Sequence, residues 1–260
     1  MTLDPDWIVP QWPAPAGVHG LITTRAGGVS TGPYASFNLG TSTRDDPAAV
    51  SENRARLRRL LPQEPLWLRQ VHANGVVDAD NAAPLPVADA SVACRSGTVC
   101  VILVADCIPV FLTDRTGSII AAAHAGWRGL ASGVLNKTIE VMCARGARAA
   151  ELMAYLGPGI GRTAFEVGPD VVRAFTAHDG DAAHAFVPHG ETKWLCDLFW
   201  LARRSLARAG VRDVYGGELC TYSDPRRFYS HRRDKTTGRM AALIWRRQDK
   251  DEGRGMRDEG

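Results

Sequence analysis

A chain of 260 residues, 45% of them apolar, can bury a substantial core as one large domain or two small ones. Its net charge of +3 implies no wholesale attraction to nucleic acid or membrane, and its longest apolar run, broken at Asp106, is too short to span a bilayer. Its six cysteines form no Cys-x-x-Cys pair and no framework spacing, which in a chain of this size reads as reduced thiols and a cytoplasmic location.

In chain order, the Pro-rich opening MTLDPDWIVPQWPAPAG lacks the basic-then-apolar layout of a signal peptide. Leu21 to Thr24 reads as a short strand entering a loop rich in Gly, Ser, Asn and Pro that runs to Gly40. Ordered loops of this kind carry binding residues, and Arg25 and Asn38 are the candidate ligand contacts, with turn chemistry and a surface charge as the plainer explanation. Asp46-Pro47 has the N-cap acid and first-turn proline of a helix start, and Val50, Leu57, Leu60 and Leu61 share one side of that helix until Pro62. Trp67 to Asp78 has the pattern of strand, Asn74-Gly75 turn and strand. On the first of these strands Gln70 and His72 face the same way.

Val99 to Gly129 comprises two nearly continuous apolar runs joined at Asp114-Arg115-Thr116-Gly117, the pattern of a buried β-hairpin. Each run carries one residue that packing does not require, Cys107 in the first and His124 in the second. A two-residue loop at Arg115-Thr116 sets Cys107 opposite His124, with Cβ atoms about 5 Å apart. A loop at Thr116-Gly117 makes them diagonal neighbours on one face. A three-residue loop ending in a left-handed Gly117 puts them on opposite faces unless a bulge intervenes. Pro109 removes a ladder donor, so a break or an edge is expected beside Cys107. Both runs are apolar on both faces, which calls for a sheet covered on each side, as in two packed sheets with helices outside.

A helix from about Gly133 buries Val134, Leu135, Thr138, Ile139 and Met142 and stops at Gly146. Tyr155 to Gly161 is a strand running into a Gly-Pro loop, and Pro169 starts a short helix carrying Val172 and Phe175. Asp197 caps a helix with Leu198, Leu201, Ala202 and Leu206 on one face, ended by Gly210. The stretch from Glu218 to Trp245 reads as a strand (LCTY), a basic loop (SDPRRFYSHRRDKTTGR) and a final strand (MAALIW). One basic loop in a nearly neutral chain is a poor nucleic-acid groove. A pocket for a small anion and a solvated loop both fit it. Residues 246–260 are almost all charged or Gly and are expected to be a disordered tail after a single domain over residues 1–245.

Cys107, His124 and His72 together would make a three-ligand metal set with an open fourth position, the layout of a catalytic zinc. Read without metal, Cys107 is a nucleophile with His124 as its base, or the pair is an inert buried thiol and a hydrogen-bonded histidine. Spacing alone leaves all three open.

TTRAGGVSTGPYASFNLG, QVH at Gln70 to His72, ADCIPV at Ala105 to Val110, HAGWRG at His124 to Gly129, GPGIG at Gly157 to Gly161, FEVG at Phe165 to Gly168 and SHRRDKTTGR at Ser230 to Arg239 are spread along nearly the whole chain. With these motifs the chain resembles the YfiH/YlmD family of laccase-domain proteins. The resemblance implies an α+β, single-domain layered α/β/β/α sandwich and a metal triad of His72, Cys107 and His124. It implies a zinc-dependent purine nucleoside phosphorylase for adenosine, inosine and S-methyl-5'-thioadenosine, with adenosine deaminase activity. Cys107 and His124 would be catalytic as well as metal-binding, and the partners would be purine nucleosides and phosphate, with a monomer favoured. Arg25, Arg128 or Arg233 would offset the phosphate charge, while Asn38 and Gln70 would hydrogen-bond purine or ribose. The His-x-Glu and Cys-x-x-Cys signature of the familiar zinc deaminases is absent. Asp106 is not assigned as base, because alternation turns it away from Cys107. Two other activities go with the family's names and relatives: a Cu2+ polyphenol oxidase, and a cysteine-type hydrolase that edits peptidoglycan precursors. The seven histidines contain no His-x-His pair, which counts against a multicopper cluster. Thr41 to Arg44, Arg162 to Ala164 and Ala73 depart from the usual family pattern without touching the ligand positions.

Overall fold

The computed structural model describes residues 4–247. In chain order the first elements are β1 (Val18–Ile22), α1 (Pro47–Arg58), β2 (Val76–Asp78), β3 (Ala90–Ala93), β4 (Val99–Val104), β5 (Ile108–Asp114) and β6 (Ile120–Ala125). The middle of the chain adds α2 (Trp127–Ala131), α3 (Val134–Cys143), β7 (Leu152–Leu156), β8 (Glu166–Val167) and α4 (Pro169–Thr176). The last elements are β9 (Phe186–His189), β10 (Lys193–Cys196), α5 (Leu198–Arg208), β11 (Asp213–Gly216), α6 (His231–Asp234) and β12 (Met240–Arg246).

Two sheets form the centre: a three-stranded one in the order β1-β12-β4 and a six-stranded one in the order β11-β7-β5-β6-β3-β2. Between them Ile102, Val104, Phe111, Ile120, Ala122, Ala242 and Ile244 interdigitate, all nearly or wholly removed from water. The outer face of the larger sheet packs Val110, Leu112, Ala121 and Ala123 against α3 and α5. The outer face of the smaller sheet packs Leu21, Val101, Ala241 and Leu243 against Leu57 and Leu61 from α1 and its end. The architecture is thus an α+β sandwich layered α/β/β/α, and strands covered on both sides explain why their sequences are apolar at every position. A small third sheet, β8-β10-β9, lies outside these layers. No helix among the described residues is long and apolar enough to cross a membrane.

Local signals held where side-chain chemistry is decisive. Asp46 caps α1 by accepting from the Ala48 N–H at 3.0 Å, and Asp197 caps α5 by accepting from the Trp200 N–H at 2.9 Å. The buried face of α3 is Val134, Leu135, Thr138, Ile139 and Met142, as the period of 3.6 requires.

Four expectations are corrected. The run from Val99 is not one strand: β4 and β5 belong to different sheets, and the chain crosses between them at Ala105-Asp106-Cys107, just before Pro109. The hairpin proper is β5–β6, with Pro109 opposite His124, so Cys107 and His124 are diagonal neighbours. Gly117 is left-handed (φ 69°), and the ladder keeps the two residues on one side despite it. Second, Trp67 to Asp78 is not a hairpin, because the main-chain N–H groups of Val71, His72 and Ala73 all point at the Asp89 carboxylate instead of a strand partner. Third, LCTY makes only an isolated bridge, Gly159 to Cys220, and the strand beside β7 is β11, in parallel. Fourth, Arg246 is the last residue of β12, paired with Val18, rather than the start of a tail; residues 248–260 lie outside the described residues.

Candidate metal centre

Cys107 is placed by a forced bend. Asp106 sits at φ 91°, a conformation L-residues seldom adopt without support. Its carboxylate accepts from Thr221 Oγ1–H at 2.7 Å and from the Arg232 N–H at 2.6 Å, and its carbonyl accepts from the Ile160 N–H at 2.8 Å. These bonds pin the bend and occupy both carboxylate oxygens, which agrees with leaving Asp106 out of proton transfer. His124 projects from β6 and is 3% exposed. His72 lies in the irregular segment before β2, also left-handed (φ 59°), and is exposed.

One residue ties the set together. The buried carboxylate of Asp89 accepts the N–H groups of Val71 (3.1 Å), His72 (2.9 Å) and Ala73 (2.8 Å). The same carboxylate accepts from Nδ1–H of His124 at 2.9 Å, and the Asp89 carbonyl accepts the His124 main-chain N–H at 2.7 Å. Holding the proton on Nδ1 leaves Nε2 of His124 as a lone-pair donor, the arrangement in which metal-binding histidines are commonly found. Asp89 had a legible signal, a lone acid in the apolar stretch PVADASVA just before β3; buried carboxylates are rare without partners.

The Nδ1/Nε2 and Sγ atoms available from His72, Cys107 and His124 all lie within 4.8 Å of one another. The two imidazoles meet edge to face, with ring centroids 4.8 Å apart. Two nitrogens and a sulfur at this separation suit a tetrahedral ion with one position left for water or substrate. Gly126 provides the space: a Cβ there would come within 2.6 Å of Cys107 Sγ and 3.4 Å of His72 Cδ2. Gly126→Ala is therefore expected to fold, displace the thiol and lose bound metal; full metal stoichiometry in that variant, measured by atomic emission on the purified protein, would contradict the cradle.

The metal-free electrostatics favour the ligand form of the thiol. Burial pushes the Cys107 thiol up, but the charge of His124 and hydrogen bonds from His124 and His72 outweigh it, so the thiol ionises below its ordinary range. Burial pulls His124 down, and the Cys107 and Asp89 charges and hydrogen bonds reverse this, so the imidazole ionises above its ordinary range. Cys100 and Cys196, buried without such neighbours, are both pushed up to about 12. All six cysteines are free.

The other expected site residues are distributed differently. Asn38 is fully buried, donating to Thr43 Oγ1 and Asp45 Oδ2 and accepting from the N–H groups of Gly40 and Arg239, so it has no group left for a ligand. Gln70 is used as a strand substitute: its amide both donates to and accepts from the Leu103 main chain, at 2.9 and 2.8 Å. Arg233 donates to the carbonyls of Thr221, Tyr222 and Phe228 and pairs with Asp234. Arg25 lies over the Tyr229 ring and donates to the carbonyls of Ala35 and Pro225. Arg128 is exposed and packs over Trp127 at 4.4 Å from the ring centroid, with no ion pair among the described residues. Asn38, Gln70 and Arg233 thus build the walls. A separate cleft of about 430 Å³ is lined by Arg162, Trp200, Arg203, Glu218 and Cys220 and includes none of His72, Cys107 and His124. No set of metal donors converges there.

Residues 19–247 match the family described as multi-copper polyphenol oxidoreductase laccase. The chain belongs to this family. Within it, the chain is 50% identical over 240 residues to a Pseudomonas aeruginosa protein named purine nucleoside phosphorylase, covering 92% of this chain and 98% of that one. It is 48% identical over 241 residues, with the same coverage, to the Escherichia coli protein named purine nucleoside phosphorylase YfiH. A Neisseria meningitidis crystal structure superposes with a TM-score of 0.89 at 48% identity, covering 94% of this chain and all of that one. The Bacillus licheniformis YfiH structure gives a TM-score of 0.83 at 27% identity, covering 88% and 93%. The layered sandwich is therefore the YfiH-like fold of this laccase-type family.

Proposed function

We propose that this chain is a zinc-dependent purine nucleoside phosphorylase acting on adenosine, inosine and S-methyl-5'-thioadenosine, with adenosine deaminase activity. The observation that carries the reading is the His72–Cys107–His124 set with its Asp89 brace, in a chain half identical to a relative named for phosphorolysis. An ion held by His72, Cys107 and His124 would supply Lewis acidity and would lower the pKa of a bound water to roughly 7. The chain's own residues hold and orient: Asp89 fixes the Nδ1 proton of His124, the Asp106 bend aims Cys107, and exposed His72 borders the entry. Arg128 is free to meet a substrate anion at the start of α2. In phosphorolysis an oxygen of phosphate bonds to C1' of the ribose while the C1'–N bond breaks. The bond's electron pair leaves with the purine, which takes the proton the phosphate carried. The free cysteines suit a reducing, cytoplasmic setting, and we take the enzyme to act as a monomer.

Copper at the same three ligands is chemically feasible. Among the described residues, however, this is the one His/Cys/carboxylate group of the required size, which falls short of a multicopper cluster. The second reading with an observation of its own is a cysteine hydrolase, since Asp89, His124 and Cys107 follow one another as orienter, base and thiol. Incubating the protein with adenosine, with and without phosphate, decides between them. Adenine formed only with phosphate is the expected result, together with inosine formed in its absence. No nucleoside turnover, with rapid inactivation by a thiol alkylator and cleavage of a muropeptide, would replace it with the hydrolase.

A further inference from the structure

The basic loop from Ser223 to Arg239 holds six Lys and Arg residues; Arg226 and Lys235 are exposed to solvent, and three others are engaged. Arg233 is saturated by carbonyls and Asp234, Arg232 donates to the Glu166 carbonyl, and Arg227 is stacked over Phe228 with its buried Nε left unpaired. Phe228 and Tyr229 are fully buried, so they offer no stacking platform to a nucleic acid. Arg239 is different. It has no carboxylate partner among the described residues, although most of its side chain is withdrawn from water. Its Nη1 donates to the carbonyls of Thr237 and Gly238 at 3.0 and 2.9 Å, while Nε and Nη2 have no partner there. A half-buried guanidinium without an anion is an incomplete arrangement.

Its position is also specific. Met240 pairs with Val104 at the end of β4, so Arg239 leaves the ladder where that strand runs on into Ala105, Asp106 and Cys107. On the opposite edge of β4 the Leu66 bridge and the Gln70 amide hold the segment that leads to His72. The strand that begins just after Arg239 and the segment that leads to His72 thus lie on opposite edges of β4, whose end runs into the bend that carries Cys107. Burial pulls the Arg239 guanidinium below its usual range, and the charges of Cys107 and Asp106 act against this, so the cation lies within electrostatic reach of the metal ligand.

A second orphan stands two residues away. Thr237 is 3% exposed, and its hydroxyl has no hydrogen-bond partner. A buried hydroxyl left unpaired calls for an explanation. The loop carrying both groups is fixed rather than loose. Gly238 is wedged so tightly that a Cβ would meet the Tyr229 ring at 2.7 Å, and Asn38 accepts the Arg239 N–H at 2.8 Å. Gly40 gives the Arg239 stem its path, since a Cβ there would come within 2.8 Å of Cγ.

We propose that Thr237 Oγ1 and the Nε/Nη2 edge of Arg239 form the seat of inorganic phosphate, with Asn38 as the residue that positions Arg239. The proposal rests on the phosphorolysis reading above and gives its attacking anion a place beside the metal centre. A hydroxyl and a forked cation are the donors a tetrahedral oxyanion takes, and Arg is suited to bidentate contact with it.

The test measures steady-state constants of the zinc-loaded enzyme for phosphate and inosine separately, with metal content and Tm as controls. Arg239→Gln is expected to raise KM for phosphate about 10- to 100-fold, the loss of one or two charged hydrogen bonds. Thr237→Val should raise it about 5-fold. KM for inosine should stay within about 3-fold, and Arg239→Lys should recover part of the loss. A parallel rise in both constants, or an unchanged phosphate constant in a variant of normal Tm and metal content, overturns the seat. Thr237→Val carries the test where Arg239→Gln does not fold. Phosphate binding without nucleoside, followed by equilibrium dialysis, separates this proposal from the one beneath it. Binding by the wild type that Arg239→Gln abolishes supports the seat even in a protein that fails to cleave nucleosides. Equal binding by both proteins refutes it even in an active enzyme.

Discussion

Asp89→Ala is expected to lower metal affinity by about 10- to 100-fold and to destabilise the fold at the same time. The carboxylate receives three main-chain N–H groups and one ring N–H, so its removal orphans four donors at once. Each buried one costs about 1–3 kcal/mol, and partial access of water near exposed Val71 and His72 keeps the total near 3 kcal/mol. For a chain of this size that is a fall in Tm of roughly 10 °C. Asp89→Asn separates the two roles. It keeps the shape and one acceptor but turns an NH2 group towards a donor, so it should retain more stability than the alanine variant while still failing to hold His124. The check is a pair of thermal melts and metal titrations; wild-type metal affinity in Asp89→Ala would remove Asp89 from the centre. Acidification acts on the same group. Burial raises its pKa, but hydrogen bonds from His124, Ala73 and Val71 outweigh it and hold the carboxyl below its usual range. A depressed carboxyl pKa contributes stability above the unfolded value that is lost as pH falls through the folded one, so the metal-free chain should weaken below about pH 4.

Cys107→Ala is expected to abolish stoichiometric metal binding and, with it, turnover, with little loss of fold because the thiol is half-buried at a sheet end. The wild-type site should also release about one proton for each metal bound near neutral pH. With the Cys107 thiol shifted down and His124 shifted up, the metal-free pair is already thiolate and imidazolium, so the departing proton comes from His124. The sign follows. As pH falls, protons compete for His124 before Cys107, and metal affinity drops. As pH rises through the His124 value the released proton disappears from the balance and affinity levels off. Calorimetric titration in two buffers of different ionisation enthalpy reads the count directly. Tight binding with no proton released would mean that the ion sits elsewhere.

How far the sequence reveals this molecule depends on how local the determining forces are. The caps at Asp46 and Asp197, the buried stripe of α3 and the doubly apolar strands are set by neighbours within a few residues, and each was legible. The strand switch at Ala105 to Cys107 was not, because hydropathy is the same on both sides and only the left-handed Asp106 and its partners Thr221 and Arg232 make the bend. His72 was readable as a candidate ligand only beside Cys107 and His124, and its strand differs from expectation because Asp89, seventeen residues on, takes the N–H groups a hairpin would use. Asn38 shows the general difficulty. Its residue type fits ligand contact and wall-building equally well, and only the four bonds it makes decide for the wall. Likewise Arg233 and Arg239 look alike in a basic loop, yet one is consumed by carbonyls and the other left open. Side-chain chemistry names the candidates, and distant partners select among them.

The central claim is that one ion on His72, Cys107 and His124 is required for purine release. The most direct measurement strips the protein with a chelator, returns zinc in fractional equivalents and follows hypoxanthine release from inosine in phosphate buffer. The rate should be negligible in the stripped protein, rise in proportion to zinc and level off at about one equivalent per chain. Full activity in protein shown to be metal-free would contradict it.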